Sequence, residues 1–372
     1  MIYLDNAATT AVFDDAVCAA ETAMREQYFN PNATYRPGVS AKQTLETNRQ
    51  IIAKLAGAQP GEIFFTSCAT ESNNWVFECG RKSKGNVVIT AGEHASVYEP
   101  AMRLKSRGVD VRVIPLAKDG TVDIERFKAS VDRDTSLVSF IHVNNETGAV
   151  NPVRELVSVV KSIAPRALIH SDGVQAFLKT PFRLDTSGID YYSSSAHKIG
   201  GPKGIGFLYV RSGLKIAPLL CGGGQELGMR SGTQNTPYIA AFAKACERFK
   251  EINDIERIRE LRRKISEIFS NNGCRTVGAD GSGYILCVCV PDVKAEVLQN
   301  AAFDRGIVIG KGSACSGSKR GNRVLEAMGM NSADIECCIR ISFFADTADE
   351  DAVTAAHTII ETARQIRSGN VR

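Results

Sequence analysis

The stretch Ser193-Ser194-Ser195-Ala196-His197-Lys198 places a primary amine directly behind an imidazole and a run of hydroxyls, and a glycine- and proline-rich turn follows at residues 199–204. Upstream, Asp172-Gly173-Val174-Gln175 closes an apolar run. Groups of these types suit pyridoxal phosphate (PLP). An amine can condense with its aldehyde, hydroxyl and imidazole groups can hold its phosphate, and a carboxylate can pair with its pyridine nitrogen. Taken alone, Lys198 would be a solvated surface charge and Asp172 a helix cap; the pairing of the two makes the cofactor reading the stronger one.

Five further groups could share that chemistry. In Thr66-Ser67-Cys68-Ala69-Thr70-Glu71 a strand pattern turns into a helix, whose free amides and Thr70 hydroxyl suit a phosphate, or equally a capping box. Glu93-His94 follows another strand; an imidazole there can stack on a cofactor ring and move protons near neutral pH, or be a plain surface histidine. Asn144-Asn145-Glu146-Thr147-Gly148 crowds polar residues at the end of an apolar strand, which is also turn chemistry. Cys315 stands in Gly312-Ser313-Ala314-Cys315-Ser316-Gly317, with no apolar neighbours and with Lys311, Lys319 and Arg320 within five positions, a setting that favours thiolate. Arg340 is a charge inside the apolar run Cys338-Ile339-Arg340-Ile341-Ser342; it requires a carboxylate, either a substrate's or an internal one.

These residues need elements to carry them. Helical patterns cover residues 14–27 (capped by Asp14-Asp15), 40–55, 70–79, 96–106, 124–130 and 152–163, with turn chemistry at Asn30-Pro31 and Pro37-Gly38. Strand patterns alternate with them at 62–66, 86–90, 109–114, 137–143, 167–171, 191–194 and 206–210. This rhythm predicts a mostly parallel sheet covered by helices, which binds ligands beyond the carboxyl ends of its strands. Residues 236–270 read as one long helical stretch containing a domain boundary. Beyond it, strands at 284–290, 307–309 and 338–343, helices at 295–303, 323–328 and 347–366, and a polar loop at 310–322 describe a small α+β domain. The expected division is a large domain at 14–250, with 1–13 and 251–372 forming the small one.

A chain of 372 residues with 44% hydrophobic and 23% charged residues can bury a large core. Its net charge of +4 is interspersed, which argues against nucleic acid and anionic membranes, and no apolar run approaches the roughly 20 residues that span a bilayer. The N-terminus lacks the basic and apolar regions of a signal peptide, so a cytoplasmic protein is expected. Eleven scattered cysteines do not form a disulfide framework; most are expected to be reduced core residues, and their spacing does not point to a metal site.

Together these motifs closely resemble the cysteine desulfurases, class V aminotransferase-like PLP enzymes. The resemblance runs nearly end to end, from Tyr3-Leu4-Asp5-Asn6-Ala7-Ala8 through Ala69-Thr70-Glu71-Ser72, His142-Val143-Asn144-Asn145-Glu146, Gly222-Gly223-Gly224-Gln225-Glu226 and Arg230-Ser231-Gly232-Thr233 to Ile339-Arg340-Ile341-Ser342. The Gly-Ser-Ala-Cys form at 312–315 is similar to the iron–sulfur-cluster-type group. The resemblance implies a PLP-dependent transferase of fold type I, L-cysteine as substrate, L-alanine as product, and sulfur carried as a persulfide on Cys315 to an acceptor protein. It implies that Lys198 holds the cofactor and moves the substrate's α-proton, and that His94 stacks on the ring. Asp172 would pair with the pyridine nitrogen and Gln175 with the phenolate oxygen. Ala69, Thr70, Ser195 and His197 would bind phosphate, as would Thr233 across a homodimer interface. Asn145 and Arg340 would hold the substrate carboxylate.

The chain departs from the family pattern at Cys68, where glycine is usual, after Cys315, where Gly317-Ser318-Lys319-Arg320 replaces the usual segment, and at Phe344-Ala345-Asp346. It stops soon after the closing helix, whereas longer relatives dock a scaffold protein with a tail. A selenocysteine lyase or another class V lyase or aminotransferase is the alternative enzyme, although a plain aminotransferase needs no nucleophile. A non-catalytic sulfur carrier would not require Lys198, His94, Asp172 and Arg340 together.

Overall fold

The structure, a computed structural model, describes residues 1–312 and 322–369. Its strands are β1 (Ile2–Leu4), β2 (Ile63–Thr66), β3 (Asn86–Thr90), β4 (Val111–Ile114), β5 (Thr135–Ile141), β6 (Leu168–Asp172), β7 (Tyr191–Ser195), β8 (Gly206–Val210), β9 (Arg275–Val277), β10 (Ile285–Cys289), β11 (Ile307–Lys311) and β12 (Cys338–Ser342). Among the described residues they form two sheets. The larger has the order β2-β8-β7-β6-β5-β3-β4, and the smaller β1-β11-β12-β10-β9.

In the larger sheet every neighbouring pair is parallel except β8, which is antiparallel to both β2 and β7. The architecture is therefore α/β with a mixed, mostly parallel sheet, as the alternating pattern predicts. Because β2 and β7 both run opposite to β8, the carboxyl ends of β2, β3, β5, β6 and β7 all reach one edge. Strands β5 and β6 are buried along nearly their whole length, on both faces, which is why they read as continuous apolar runs rather than as alternation. Three polar residues inside this layer satisfy one another: Ser139 Oγ lies 2.8 Å from His170 Nδ1, and His170 Nε2 3.1 Å from Ser193 Oγ. Burial pushes His170 down to about 3, so it stays neutral.

The smaller sheet is antiparallel apart from the β1–β11 pair. Its own core joins Leu261, Ile265 and Phe269 with Leu286, Val288, Ile339, Ile341, Ile359 and Ile360. No helix among the described residues is long and apolar enough to cross a membrane.

Several boundaries differ from the sequence reading. The second helix spans Arg36–Ala56, so Pro37-Gly38 is its first turn and not a separate one. Proline is tolerated there because its missing N–H has no partner in a first turn. Gly38 is needed for contact: a Cβ at that position would lie 2.7 Å from the Ala33 carbonyl oxygen. Asp14 and Asp15 sit inside the first turn of the helix Asp14–Glu26, whose cap position is Phe13. The stretch 236–270 is two helices, Thr236–Ile252 and Ile255–Ser270; extended backbone at Asn253 and Asp254 separates them, and Asp254 caps the second by accepting from Arg257 N at 3.0 Å. The pattern 70–79 ends as an α-helix at Trp75 and continues as a π-helical turn. Strand β11 runs to Lys311, inside the loop expected from 310. Strands β1 and β9 and the helix Ser332–Glu336 carry no periodicity of their own; at three to five residues they depend on their neighbours. Of the described cysteines, Cys246, Cys274, Cys287, Cys289 and Cys338 are buried, while Cys18 and Cys221 are exposed and Cys68, Cys79 and Cys337 lie between. The expectation of mostly core thiols thus holds for half of them.

Candidate active site

The edge where the parallel strands end collects the predicted groups. Asp172 is the last residue of β6, paired in register with Ile141 and Ser193 of its neighbours, and 2% exposed. Its Oδ1 accepts from Val174 N at 3.0 Å, the local turn that a capping aspartate makes, and its Oδ2 accepts from Asn73 Nδ2 at 2.9 Å. Gly173 follows because a Cβ there would collide with the Tyr192 ring, 1.8 Å away. Asn73 Nδ2 also donates to Ser96 Oγ at 2.8 Å, and Ser96 Oγ lies 2.8 Å from His94 Nδ1. A continuous polar line thus joins Asp172 to His94. His94 caps the helix Ala95–Ser106, with Nδ1 accepting from Ser96 N at 3.2 Å. That bond leaves the ring proton on Nε2. Burial holds the imidazole below its ordinary range, against the pull of Asp172 and with help from Lys198.

Lys198 sits in the short 3-10 turn after β7, and its Nζ donates to the carbonyls of Ala7 and Ala8, both at 2.7 Å. Gln175 Nε2 donates to the same Ala7 carbonyl at 2.8 Å. The segment after β1 therefore reaches across from the smaller sheet to hold the amine. His197 is pinned by Thr9 Oγ1 at 3.2 Å from Nδ1, and burial together with Lys198, Lys203 and Lys179 pushes it down to about 3. Ser195 Oγ donates to the Ile205 carbonyl at 3.4 Å. Ala69 and Thr70 open the helix Ala69–Trp75, where their amides are free of helical partners. The cap position is Cys68 and carries no side-chain cap bond. Glu71 Oε2 instead reaches back to Ser67 N at 2.8 Å, and Arg230 Nε donates to Glu71 Oε1 at 2.9 Å.

Arg340, 8% exposed in β12, donates to Asp5 Oδ1 at 2.9 Å and to the Asn145 carbonyl at 2.9 Å, with Glu146 Oε1 at 3.6 Å. The internal salt bridge weighed from the sequence is present, and it is built from both sheets. Asn145 Nδ2 donates to Glu146 Oε1 at 2.8 Å. Thr233 is exposed. Cys315 lies outside the described residues. The residues that bracket it, Gly312 and Asn322, both approach Glu146: Asn322 Nδ2 is 3.5 Å from Glu146 Oε2, and a Cβ on Gly312 would be 3.1 Å from that atom.

Sequence reasoning missed Asn73, Ser96, Lys179 and Arg323. Asn73 is one helical turn beyond Thr70, and Lys179 is a charge in the apolar run Ala176-Phe177-Leu178, the same signal that singles out Arg340. Arg323 donates to the carbonyls of Ala91 (2.5 Å) and Glu93 and stacks over the Tyr98 ring at 3.9 Å, tying the helix after the cysteine segment to the His94 turn.

The donor set fits PLP. It offers a buried carboxylate, an amine that donates to two main-chain carbonyls, an amide beside that amine, a neutral imidazole and a helix N-terminus. The buried Asn73 Oδ1 has no protein partner beside Asp172, as expected of a wall built around another polar group.

Glu93 yields a prediction of its own. Its Oε1 accepts from Thr90 Oγ1 at 2.5 Å and from Ile141 N at 2.8 Å, while Oε2 is buried without a hydrogen bond. Burial, reinforced by Asp172, pushes this carboxyl from 4.5 up to about 7. The folded state then binds the proton more tightly than the unfolded chain. Glu93 contributes stability below about pH 4.5 that is lost as pH rises through about 7. Glu93→Gln mimics the neutral acid, so it should unfold at higher denaturant than the wild type at pH 8, by on the order of 3 kcal/mol, and about equally at pH 5. Urea titrations at both values check this; an equal gap at both removes the assignment.

The class-V aminotransferase model matches residues 2–354. A cysteine desulfurase of Bradyrhizobium diazoefficiens is 35% identical over 100% of this chain and 97% of its own. Among solved structures, a NifS-like protein superposes with a TM-score of 0.89 at 36% identity, covering 97% of this chain and 98% of that one. A second, SspA in complex with cysteine, gives 0.82 at 29% identity over 94% and 100%.

Proposed function

Because the chain belongs to the class-V aminotransferase family, among its pyridoxal-phosphate-dependent cysteine desulfurases, we propose that it takes sulfur from L-cysteine and leaves L-alanine, with the residues dividing the work as follows. The observation that carries this is the convergence of Lys198, Gln175, Asp172 and His94 on one edge of the larger sheet, the amine held by two carbonyls from the other sheet. Bound PLP supplies an electron sink that weakens bonds at the substrate's α- and β-carbons.

Asp172, oriented by Asn73 and Val174, would hold the proton of the pyridine nitrogen, and Gln175 would donate to the phenolate oxygen. Ala69, Thr70, Ser195 and His197 would receive the phosphate, His197 as a neutral donor, since its surroundings disfavour imidazolium. Lys198 would hold the cofactor and move the α-proton, and His94 would lie against the ring and pass protons from Nε2. Asn145 and Arg340 orient the substrate carboxylate; Arg340 already sits in a frame of oxygens that fixes its direction. The Cys315 thiolate bonds to the substrate sulfur, the carbon–sulfur bond breaks, and the carbon takes a proton to give alanine. The persulfide then passes to an acceptor protein.

The same reading makes the protein a cytoplasmic homodimer in which Thr233 of each chain completes the other's phosphate site. Support comes from the segment that carries it. Glu226 and Leu227 are held at φ 51° and 57°, a backbone that costs of order 1–3 kcal/mol per residue. The buried pair Arg49–Glu226, at 2.7 Å, stabilises that turn, and Leu227 is left 78% exposed. An exposed aromatic group, Tyr28 stacked on Phe29 with Tyr35 beside it, offers further apolar surface. The reading also includes a domain division at 14–250 against 1–13 with 251–372; the separate larger and smaller sheets and the break between helices at Asn253, three residues beyond that boundary, support it.

The test is incubation of PLP-loaded protein with L-cysteine. Alanine should form together with a persulfide mapped to Cys315. Alanine without protein-bound sulfur would leave the nucleophile unassigned, and no alanine would end the reading.

A further inference from the structure

Lys179 is 1% exposed and fully enclosed, and its one part in the chemistry above is helping to keep His197 neutral. It lies four residues beyond Gln175 in the turns that follow β6, and its Nζ donates to Gln175 Oε1 at 3.5 Å. On its other side the ammonium sits 5.4 Å from the centre of the Tyr284 ring, at the start of β10 in the smaller sheet. Tyr284 is itself fixed through its hydroxyl to Asn253 Oδ1, and Asn253 Nδ2 donates to the Leu178 carbonyl at 2.7 Å. Leu178, the residue before Lys179, is held at φ 61°.

A side-chain amide can present either end to its surroundings, and its neighbours decide which. A protonated lysine has donors only. With Lys179 against Oε1, the Nε2 end must face the opposite way, where it donates to the Ala7 carbonyl that also receives Lys198 Nζ.

We infer that Lys179 is a positioning residue: it locks the Gln175 amide with its N–H end turned toward the cofactor's phenolate oxygen and away from the protein interior. This rests on the proposed PLP site. The Ala7 carbonyl favours the same direction from the other end; without the ammonium that constraint stands alone, and the amide turns more readily to offer an oxygen to an oxygen, which repels. Burial and the nearby Lys198 push Lys179 down to about 7, so the donor-only ammonium is the form that fixes the amide below that pH, whereas the neutral amine could also accept from it.

The experiment is a double-mutant cycle on PLP-loaded protein, using Lys179→Met and Gln175→Ala. The readouts are the visible absorption maximum of bound PLP and its dissociation constant. Lys179→Met should move the maximum and weaken PLP binding roughly tenfold, the scale of one hydrogen bond to a charged group. Its thermal midpoint should be equal or higher, because a buried ammonium is removed. In the Gln175→Ala background the same substitution should change neither optical readout. If Lys179→Met keeps the wild-type maximum and affinity, or loses them equally in both backgrounds, the inference is overturned. Lys179→Leu serves in the same cycle if the methionine variant does not fold. A wild-type protein that develops no visible band with PLP would instead sink the cofactor assignment itself.

Discussion

A Cys315→Ala variant is expected to release no sulfide from L-cysteine above background, a fall of at least ~10³-fold, while its PLP stays bound with an unchanged visible band. The two halves of this expectation have separate causes. Sulfur removal needs a thiolate that can bond to sulfur as the carbon–sulfur bond breaks, and alanine has none. Cofactor retention depends on Lys198, Asp172, Gln175 and the Ala69–Thr70 turn, all of which the substitution leaves in place. The thiolate is favoured by local cations. Lys311 is partly committed elsewhere, since its Nζ pairs with Glu296 Oε2 at 3.0 Å, which leaves Lys319 and Arg320 as the other nearby cations in sequence. Sulfide assays with absorption spectra of the same samples check both halves; unchanged turnover would refute the nucleophile assignment.

The second large effect is expected at Lys198. Lys198→Ala should retain PLP only noncovalently and lose turnover by about 10²- to 10⁴-fold through the missing proton transfer alone. Borohydride reduction followed by peptide mapping should label Lys198 in the wild type and no peptide in the variant. Lys179 makes this test discriminating. It is a second amine with a lowered proton affinity close to Lys198, so a label on Lys179 would show that the reactive amine had been misplaced. The hydrogen bonds argue for Lys198, because Lys179 is enclosed and turned toward Tyr284, whereas Lys198 lies on the carbonyls of Ala7 and Ala8 at the strand edge.

The family and its cofactor, and the candidates for the site, were legible in the residues themselves. Asp172 and Arg340 are polar groups at or inside apolar runs, where burial without purpose is costly, while Lys198 and His94 stand out by the motifs Ala196-His197-Lys198 and Glu93-His94. The alternation of β2 through β8 with helices was legible for the same reason: two-faced burial writes itself into runs such as Leu137-Val138-Ser139-Phe140-Ile141. What the tertiary structure decided is everything that depends on two distant segments meeting. The Ala7 carbonyl that joins Lys198 to Gln175, the Asn73–Ser96 line that orients Asp172 and His94, and the Asp5 carboxylate on Arg340 involve separations of 23 to 335 residues. A single residue's type states that it needs a hydrogen-bonding partner, but not which one. That choice is made only when sheet order and register bring particular atoms within about 3 Å.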